Sequence, residues 1–353
     1  MKLDTIKDLI KNIVKKPDNV ENYLKLAKLY IEQGKYDLAI NSYESILNLE
    51  PNNIVALSNL GSIYFFQENY YKAILYYEKV AKSNIRSYSI YYNLGNAYAE
   101  VKEYKKSMEN YIKAVNIDSS NHKIYTAIAM LYQDKEIFDE AIRYYQKALS
   151  IDNSEPTNFI NLAYVYMKTG CFAQAAENFM KAIELAPKDK KIRLFCANAF
   201  SAAKNYEKSN AIFETILNET EEKYQVILCY AISKYEQGDL NKAIELYKKA
   251  IDINPVMPNA YTLLGNLYFA EKKYDDAISM YKKVVEINQN DSYTYSLIGN
   301  TYVLKKELKE AISAYKSAID LNTENDEFKL IYLEIIKEYI NEKIEKGNNN
   351  DAT

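Results

Sequence analysis

The feature that most constrains this chain is a residue pattern that returns every 34 positions. Residues 258–291 serve as the reference copy. In it Tyr261, Leu264 and Tyr268, then Ala277, Tyr281 and Val284, stand three or four apart, which gathers each set on one side of a helix. Lys272 and Lys273 mark the break between the two helices, and Tyr274 begins the return. A period of this length belongs to stacked helix-turn-helix units. Each unit is too small to bury its apolar face alone and must use its neighbours.

Two positions demand small residues where the helices of a unit cross. The first-helix site reads Ala27, Gly61, Gly95, Ala129, Ala163, Ala197, Ala231, Gly265 and Gly299. The second-helix site reads Ala39, Ala73, Ser107, Ala141, Ala175, Ser209, Ala243, Ala277 and Ala311. Four residues further on stands a large ring in every copy: Tyr43, Tyr77, Tyr111, Tyr145, Phe179, Phe213, Tyr247, Tyr281 and Tyr315. Small residues permit close approach, and the rings bury large areas around it. Nine copies run through 20–325 without insertion or deletion.

Glycine and proline check this frame independently, since both are poor inside helices. Gly34, Gly170 and Gly238 fall at first-helix ends, the place for a left-handed cap. Pro17, Pro51, Pro187 and Pro255 fall between repeats, and Pro156 and Pro258 in a first turn. Asn19, Asn53, Ser87, Asn121, Asp189, Asp291 and Asn325 precede first helices as expected N-caps.

These residues resemble the tetratricopeptide repeat (TPR) family. The resemblance implies an all-α, right-handed α-solenoid, a superhelix of nine repeats over 20–325, whose first helices line a concave groove for a peptide or partner segment. It also implies a terminal solvating helix, which fits 326–345, where Phe328, Tyr332, Ile335, Ile336 and Tyr339 keep helical spacing. Residues 1–19 are expected to form an N-terminal capping helix, a partial repeat with Leu3, Ile6, Ile10 and Ile13 as its apolar stripe. Residues 346–353 are polar and are expected to be a disordered tail.

Composition excludes several classes. With 45 Lys+Arg against 48 Asp+Glu the net charge is −3, and no basic footprint for nucleic acid stands out. Thirty-six tyrosines accompany no tryptophan, but many occupy the recurring positions and read as packing. The start of the chain has scattered lysines and no secretory apolar region, and no apolar run is long enough to span a membrane, so the expected location is cytoplasmic. Cys171, Cys196 and Cys229 are widely spaced and read as reduced thiols. His122 is the only histidine, which removes His-based triads and multi-histidine metal sites; at a helix start it is expected to face solvent. No phosphate loop or carboxylate cleft is visible, so neither catalysis nor a cofactor or metal is expected.

The first-helix face left over by packing, represented by Asn259, Thr262, Leu263, Asn266, Phe269 and Ala270, is the candidate binding surface. One rung holds Asn59, Asn93 and Asn161, and another Asn96, Asn198, Asn266 and Asn300. Asparagine both donates and accepts, so it can pair with a peptide backbone without reading sequence. Phe66, Tyr92 and Tyr164 are candidate side-chain anchors, with Tyr235 and Phe269 beyond them. A carboxylate clamp of the cochaperone type is incomplete: Asn93 is preceded by Ser58 and Ser62 and followed by Lys123 and Ala127. The rung rather resembles the asparagine ladder of the O-linked N-acetylglucosamine transferase, broken at Ala127, Phe195, Cys229, Leu263 and Leu297.

The expected function is therefore a non-catalytic protein–protein interaction scaffold or adaptor. The alternative is a substrate-recruiting arm or subunit of an enzyme such as a protein glycosyltransferase. Two further regions stand out. Repeats six and seven depart from the pattern at Arg193, Cys196, Lys234 and 220–223, marking a candidate hinge through thin packing. The C-terminal helix carries Leu330, Ile331, Leu333 and Ile340 beyond its packing stripe, a candidate surface for a partner or for self-association.

Overall fold

The computed structural model describes residues 5–83, 86–219, 221 and 223–350, with side chains up to 344. Among these the regular structure is helical throughout. The chain divides into two compact units, Met1–Ala186 and Pro187–Thr353. The first contains α1 (Ile6–Lys15), α2 (Val20–Glu32), α3 (Tyr36–Leu49), α4 (Ile54–Phe66), α5 (Tyr70–Ala81), α6 (Tyr88–Glu100), α7 (Tyr104–Ile117), α8 (His122–Asp134), α9 (Phe138–Ile151), α10 (Pro156–Lys168) and α11 (Phe172–Leu185). The second contains α12 (Lys190–Ala202), α13 (Tyr206–Glu219), α14 (Lys223–Gln237), α15 (Leu240–Ile253), α16 (Pro258–Ala270), α17 (Tyr274–Ile287), α18 (Ser292–Leu304), α19 (Leu308–Leu321) and α20 (Asp326–Asn350). Within each unit every helix packs on the next in the chain, an all-α solenoid arrangement.

Each pair is closed by the same turn. Residues 34, 68, 102, 136 and 170 in the first unit, and 204, 238, 272 and 306 in the second, have φ between 57° and 88°. Only Gly34, Gly170 and Gly238 are glycines; the others are Glu68, Lys102, Glu136, Lys204, Lys272 and Lys306. A side chain in this region costs about 1–2 kcal/mol. Two backbone bonds offset it. Asn69 N–H donates to the Tyr64 carbonyl at 2.8 Å and Glu68 N–H to that of Phe65 at 3.0 Å, a Schellman closure repeated by Glu103 onto Tyr98 and Lys273 onto Tyr268.

The helix crossing is as tight as the small residues imply. The second-helix rings Tyr77, Tyr145, Phe179, Phe213, Tyr247, Tyr281 and Tyr315 are at most 2% exposed, and the alanines at both crossing sites are fully buried. A Cβ placed on Gly61, Gly95, Gly265 or Gly299 would meet the ring of Tyr77, Tyr111, Tyr281 or Tyr315 at 2.5–2.6 Å. Where serine replaces alanine, its hydroxyl finds a partner across the crossing: Ser107 donates to the Gly95 carbonyl at 2.8 Å, and Ser209 to that of Ala197 at 2.9 Å. Burying each ring contributes about 1.5–3 kcal/mol.

Most expected caps are present: Asn19, Asn53, Asn121, Asp189, Asp291 and Asn325 accept from first-turn amides. Ser87 does not, because its hydroxyl pairs with that of Ser89 at 2.8 Å. At the N-terminus, Leu9 rather than Ile10 is the buried residue of α1, while Ile6 and Ile13 of the expected stripe are half-buried beside it. Leu3 lies outside the described residues. Helix α20 continues to Asn350, past the expected limit at 345, and residues 351–353 of the expected tail lie outside the described ones.

Packing between repeats six and seven is not thin. Ala197, Phe213, Ile216, Val226, Tyr230, Ala231, Tyr247 and Leu264 form one buried cluster, and the Phe213 and Tyr230 rings stack at 5.0 Å. Arg193, which replaces an aromatic, is itself nearly buried and forms an ion pair with Glu219 at 2.6 Å. Residues 220 and 222 of the irregular link lie outside the described residues.

Two outcomes are expected. Gly95→Ala should destabilise the first unit by about 1–2 kcal/mol in urea unfolding, since the overpacking cost exceeds the gain in helix propensity. Burial raises the hydroxyl pKa of Tyr43, Tyr77, Tyr111, Tyr145, Tyr247 and Tyr281, and pushes Tyr315 up to about 12. Between the unfolded value near 10 and the raised folded values, the folded chain holds more protons than the unfolded one. Stability should therefore be complete below about pH 10 and fall steadily above it. Circular dichroism melts at alkaline pH will show whether it does.

Candidate functional site

The buried second-helix tyrosines set the chemistry of the first-helix face. Each ring passes its glycine or alanine with its hydroxyl emerging on the far side, where it needs a polar partner. Tyr111 donates to Asn96 Oδ1 at 2.7 Å, Tyr281 to Asn266 Oδ1 at 2.8 Å and Tyr315 to Asn300 Oδ1 at 2.5 Å. Tyr77 shares its hydroxyl between Ser62, at 3.0 Å, and Asn93 of the next repeat. All four repeats with glycine at the crossing have such a partner in the residue just after the glycine. In repeat four the crossing residue is Ala129 and Met130 follows it, so Tyr145 donates to Gln133 Oε1 at 2.9 Å instead.

The hydroxyls of Tyr43 and Tyr247, whose crossing alanines are followed by Lys28 and Ile232, make no protein hydrogen bond among the described residues, and two repeats have no hydroxyl to place. Phe179 has no hydroxyl, and its ring stands perpendicular to that of Tyr164 with the centroids 5.5 Å apart. Phe213 has none either, and Asn198 Nδ2 lies 3.9 Å from Cys229 Sγ, a weak contact. One face of the expected second rung is therefore committed to internal packing, and Asn96, Asn266 and Asn300 are left with their amide N–H groups. On the first rung, Asn59 donates to the Val55 carbonyl of its own helix at 2.8 Å, while Asn161 is half-buried.

The expected anchors do not all converge. Tyr92 and Asn96 line a cleft of about 460 Å3 within the first unit, formed along α6, α8 and α10. Asn59, Asn93, Asn161 and Tyr164 are not among its walls, and Phe66, 67% exposed, lays its ring against Tyr36 at 5.1 Å. Asn198, Asn266 and Asn300 belong to the second unit. The cleft is completed by Thr126, Met130 and Asn158, none of them among the expected binding residues; Thr126 and Met130 precede Asn161 where a carboxylate clamp would need other side chains. The repeat frame could have found two of them, because Thr126 and Met130 stand 34 residues after Tyr92 and Asn96. Thr126 donates to Asn158 Oδ1 at 2.8 Å and ties α8 to α10, while Met130 is half-exposed.

Charge in the cleft is mixed: Glu100, Asp134 and Glu155 with Lys102 and Lys123. His122, expected to face solvent, is largely buried in the wall. Its Nε2 stands 3.4 Å from Asp152 Oδ2, and its side chain is 15% exposed. The Asp152 carboxyl is held below its usual range chiefly by the Ser154 amide and hydroxyl, with His122 adding to the effect. Burial pushes the Cys196 thiol up to about 12, which makes it a poor nucleophile. Among the described residues no cluster of three His, Cys, Asp or Glu side chains could hold a metal ion, and no helix is long and apolar enough to cross a membrane.

A stack of helix pairs with committed crossings and an open first-helix face defines a helical-repeat protein. Residues 4–225 match the family model described as the C-terminal domain of cilia and flagella-associated protein 70, and residues 234–300 and 292–325 match two tetratricopeptide repeat models. The chain belongs to this tetratricopeptide-repeat family. No curated protein matches it. Among solved structures it is similar to MamA (25% identity, 47% of this chain and 97% of that one, TM-score 0.44). It is also similar to YrrB, described as a TPR protein with an unusual peptide-binding site (20% identity, 53% and 97%, TM-score 0.44).

Removing the Tyr111 hydroxyl isolates its role. Tyr111→Phe should cost about 0.5–1.5 kcal/mol, and Tyr111→Phe with Asn96→Ala should cost less than the sum of the two single changes if the pair is coupled. A double-mutant cycle in urea reads this out; strict additivity would mean that the hydroxyl is satisfied by water.

Proposed function

We infer that the chain is a non-catalytic scaffold that holds a segment of a protein partner against the first-helix face of repeats three to five. The observation that supports this is the cleft lined by Tyr92, Asn96, Thr126, Met130 and Asn158, whose walls on the first-helix face combine exposed apolar surface with polar groups. Tyr92 and Met130 offer apolar contact, and the Asn96 amide N–H offers a fixed donor to a backbone carbonyl, because Tyr111 already occupies its oxygen. A polar, partly apolar groove on rigid helices suits an extended or helical peptide.

Two expectations follow from this placement. A photo-crosslinking amino acid at position 130 should capture a discrete partner in cells, whereas the same group at Tyr71, a 77% exposed residue on α5, should not. A synthetic peptide covering the captured segment should bind the purified chain, and Met130→Glu with Thr126→Arg should weaken it by about tenfold or more, as expected for charges placed among apolar anchors. Equal capture at both positions, or calorimetric affinity unchanged by the double substitution, would place the partner elsewhere.

A further inference from the structure

Helix α20 is unlike the first helices of the repeats. It spans 25 residues where they span 13–15, and among the described elements it has no second helix of its own. Its inner face is used: Phe328 and Ile335 are buried with Leu308, Tyr315 and Ala318, and Ile331, Tyr332 and Tyr339 pack beside them. Its outer face presents Leu330, Leu333, Ile340 and Ile344, each at least half exposed. Together with Lys337 these stand at 330, 333, 337, 340 and 344, a strict alternation of three and four. That is the spacing of a coiled-coil seam, held over two heptads with one lysine in it. Leu333 also occupies the crossing site that is Gly or Ala in every complete repeat, so a helix packed here meets a leucine instead of the usual small residue.

We propose that this seam is a dimerisation surface and that its occupant is α20 of a second copy of the chain, lying antiparallel. The heptad pattern is self-complementary, which favours an identical partner over an unrelated one. Charge decides the direction. In a parallel pair Lys337 would face Lys337 of the other copy in the middle of the seam. In an antiparallel pair centred near Ile335, Leu330 faces Ile340 and Leu333 faces Lys337, each twice. The Lys337 stem then covers Leu333 while its ammonium reaches Glu334 of the other helix. Neither Glu334 nor Lys337 has an ion pair among the described residues, so both are free for this exchange. Counted over both copies, the covered surface is on the order of 1,000 Å2, at the low end of specific interfaces, and the dimer should dissociate at roughly 10–100 µM.

The test uses the full chain and is independent of what occupies the groove in the first unit. Sedimentation velocity across that concentration range should show a monomer–dimer equilibrium. Leu333→Lys with Ile340→Lys should weaken it by about a hundredfold without loss of helicity, because both positions are exposed in the monomer. Lys337→Leu should tighten it by about tenfold by replacing a charge in the seam with an apolar contact. Direction is read by disulfide cross-linking under a mild oxidant, with the wild type as control for its native thiols. A mixture of Leu330→Cys and Ile340→Cys chains should join, and Leu330→Cys alone should not. A chain that stays monomeric throughout, a dimer insensitive to the lysine substitutions, or cross-linking of Leu330→Cys to itself would each overturn the proposal.

Discussion

The contact between a second-helix ring and a first-helix glycine or alanine organises the rest of this structure. It brings two helix backbones close enough that a fully buried tyrosine fits only if the opposing residue has little or no side chain. Interiors packed this tightly cannot absorb an extra methyl without displacement, so the small residue and the ring act as one unit. Its repetition produces a stack in which each helix depends on its neighbours in the chain, and it leaves one face of every first helix outside the packing.

The tyrosine hydroxyl links this packing to the surface. Phenylalanine would fill the same space, as Phe179 and Phe213 do, but a hydroxyl arriving at the first-helix face must be satisfied there. Asn96, Asn266, Asn300 and Ser62 provide for it. Much of the asparagine enrichment on this face thus follows from core packing. What the arrangement leaves to a partner is narrower than a free asparagine would offer, namely amide N–H groups with their oxygens already engaged.

The repeat frame also shows how backbone bonds override residue preference. Six of the nine inter-helix turns place glutamate or lysine in the left-handed region, where glycine is the residue a local reading would require. The Schellman bonds recur at these sites, and a turn secured by two hydrogen bonds and by the packed helices on either side tolerates the strain. The irregular residues of repeats six and seven behave similarly. Arg193 loses an aromatic contact and gains an ion pair with Glu219, while the neighbouring rings keep the cluster continuous.

What the sequence determined by itself was the helical class, the frame, the identity of the crossing residues and most of the caps. Those features are local in kind: spacing of three or four, a small residue opposite a large one, an asparagine before a first turn. Only the tertiary structure decided where hydroxyls and amides met, because that depends on how far a ring extends through a crossing. It joined Asn93 to the tyrosine of the preceding repeat, turned His122 toward Asp152, and gathered Tyr92, Asn96, Thr126, Met130 and Asn158 into one cleft while leaving Asn59 bonded to its own helix. The direction in which a side chain is spent is set by what packs beneath it, and no single repeat contains that information.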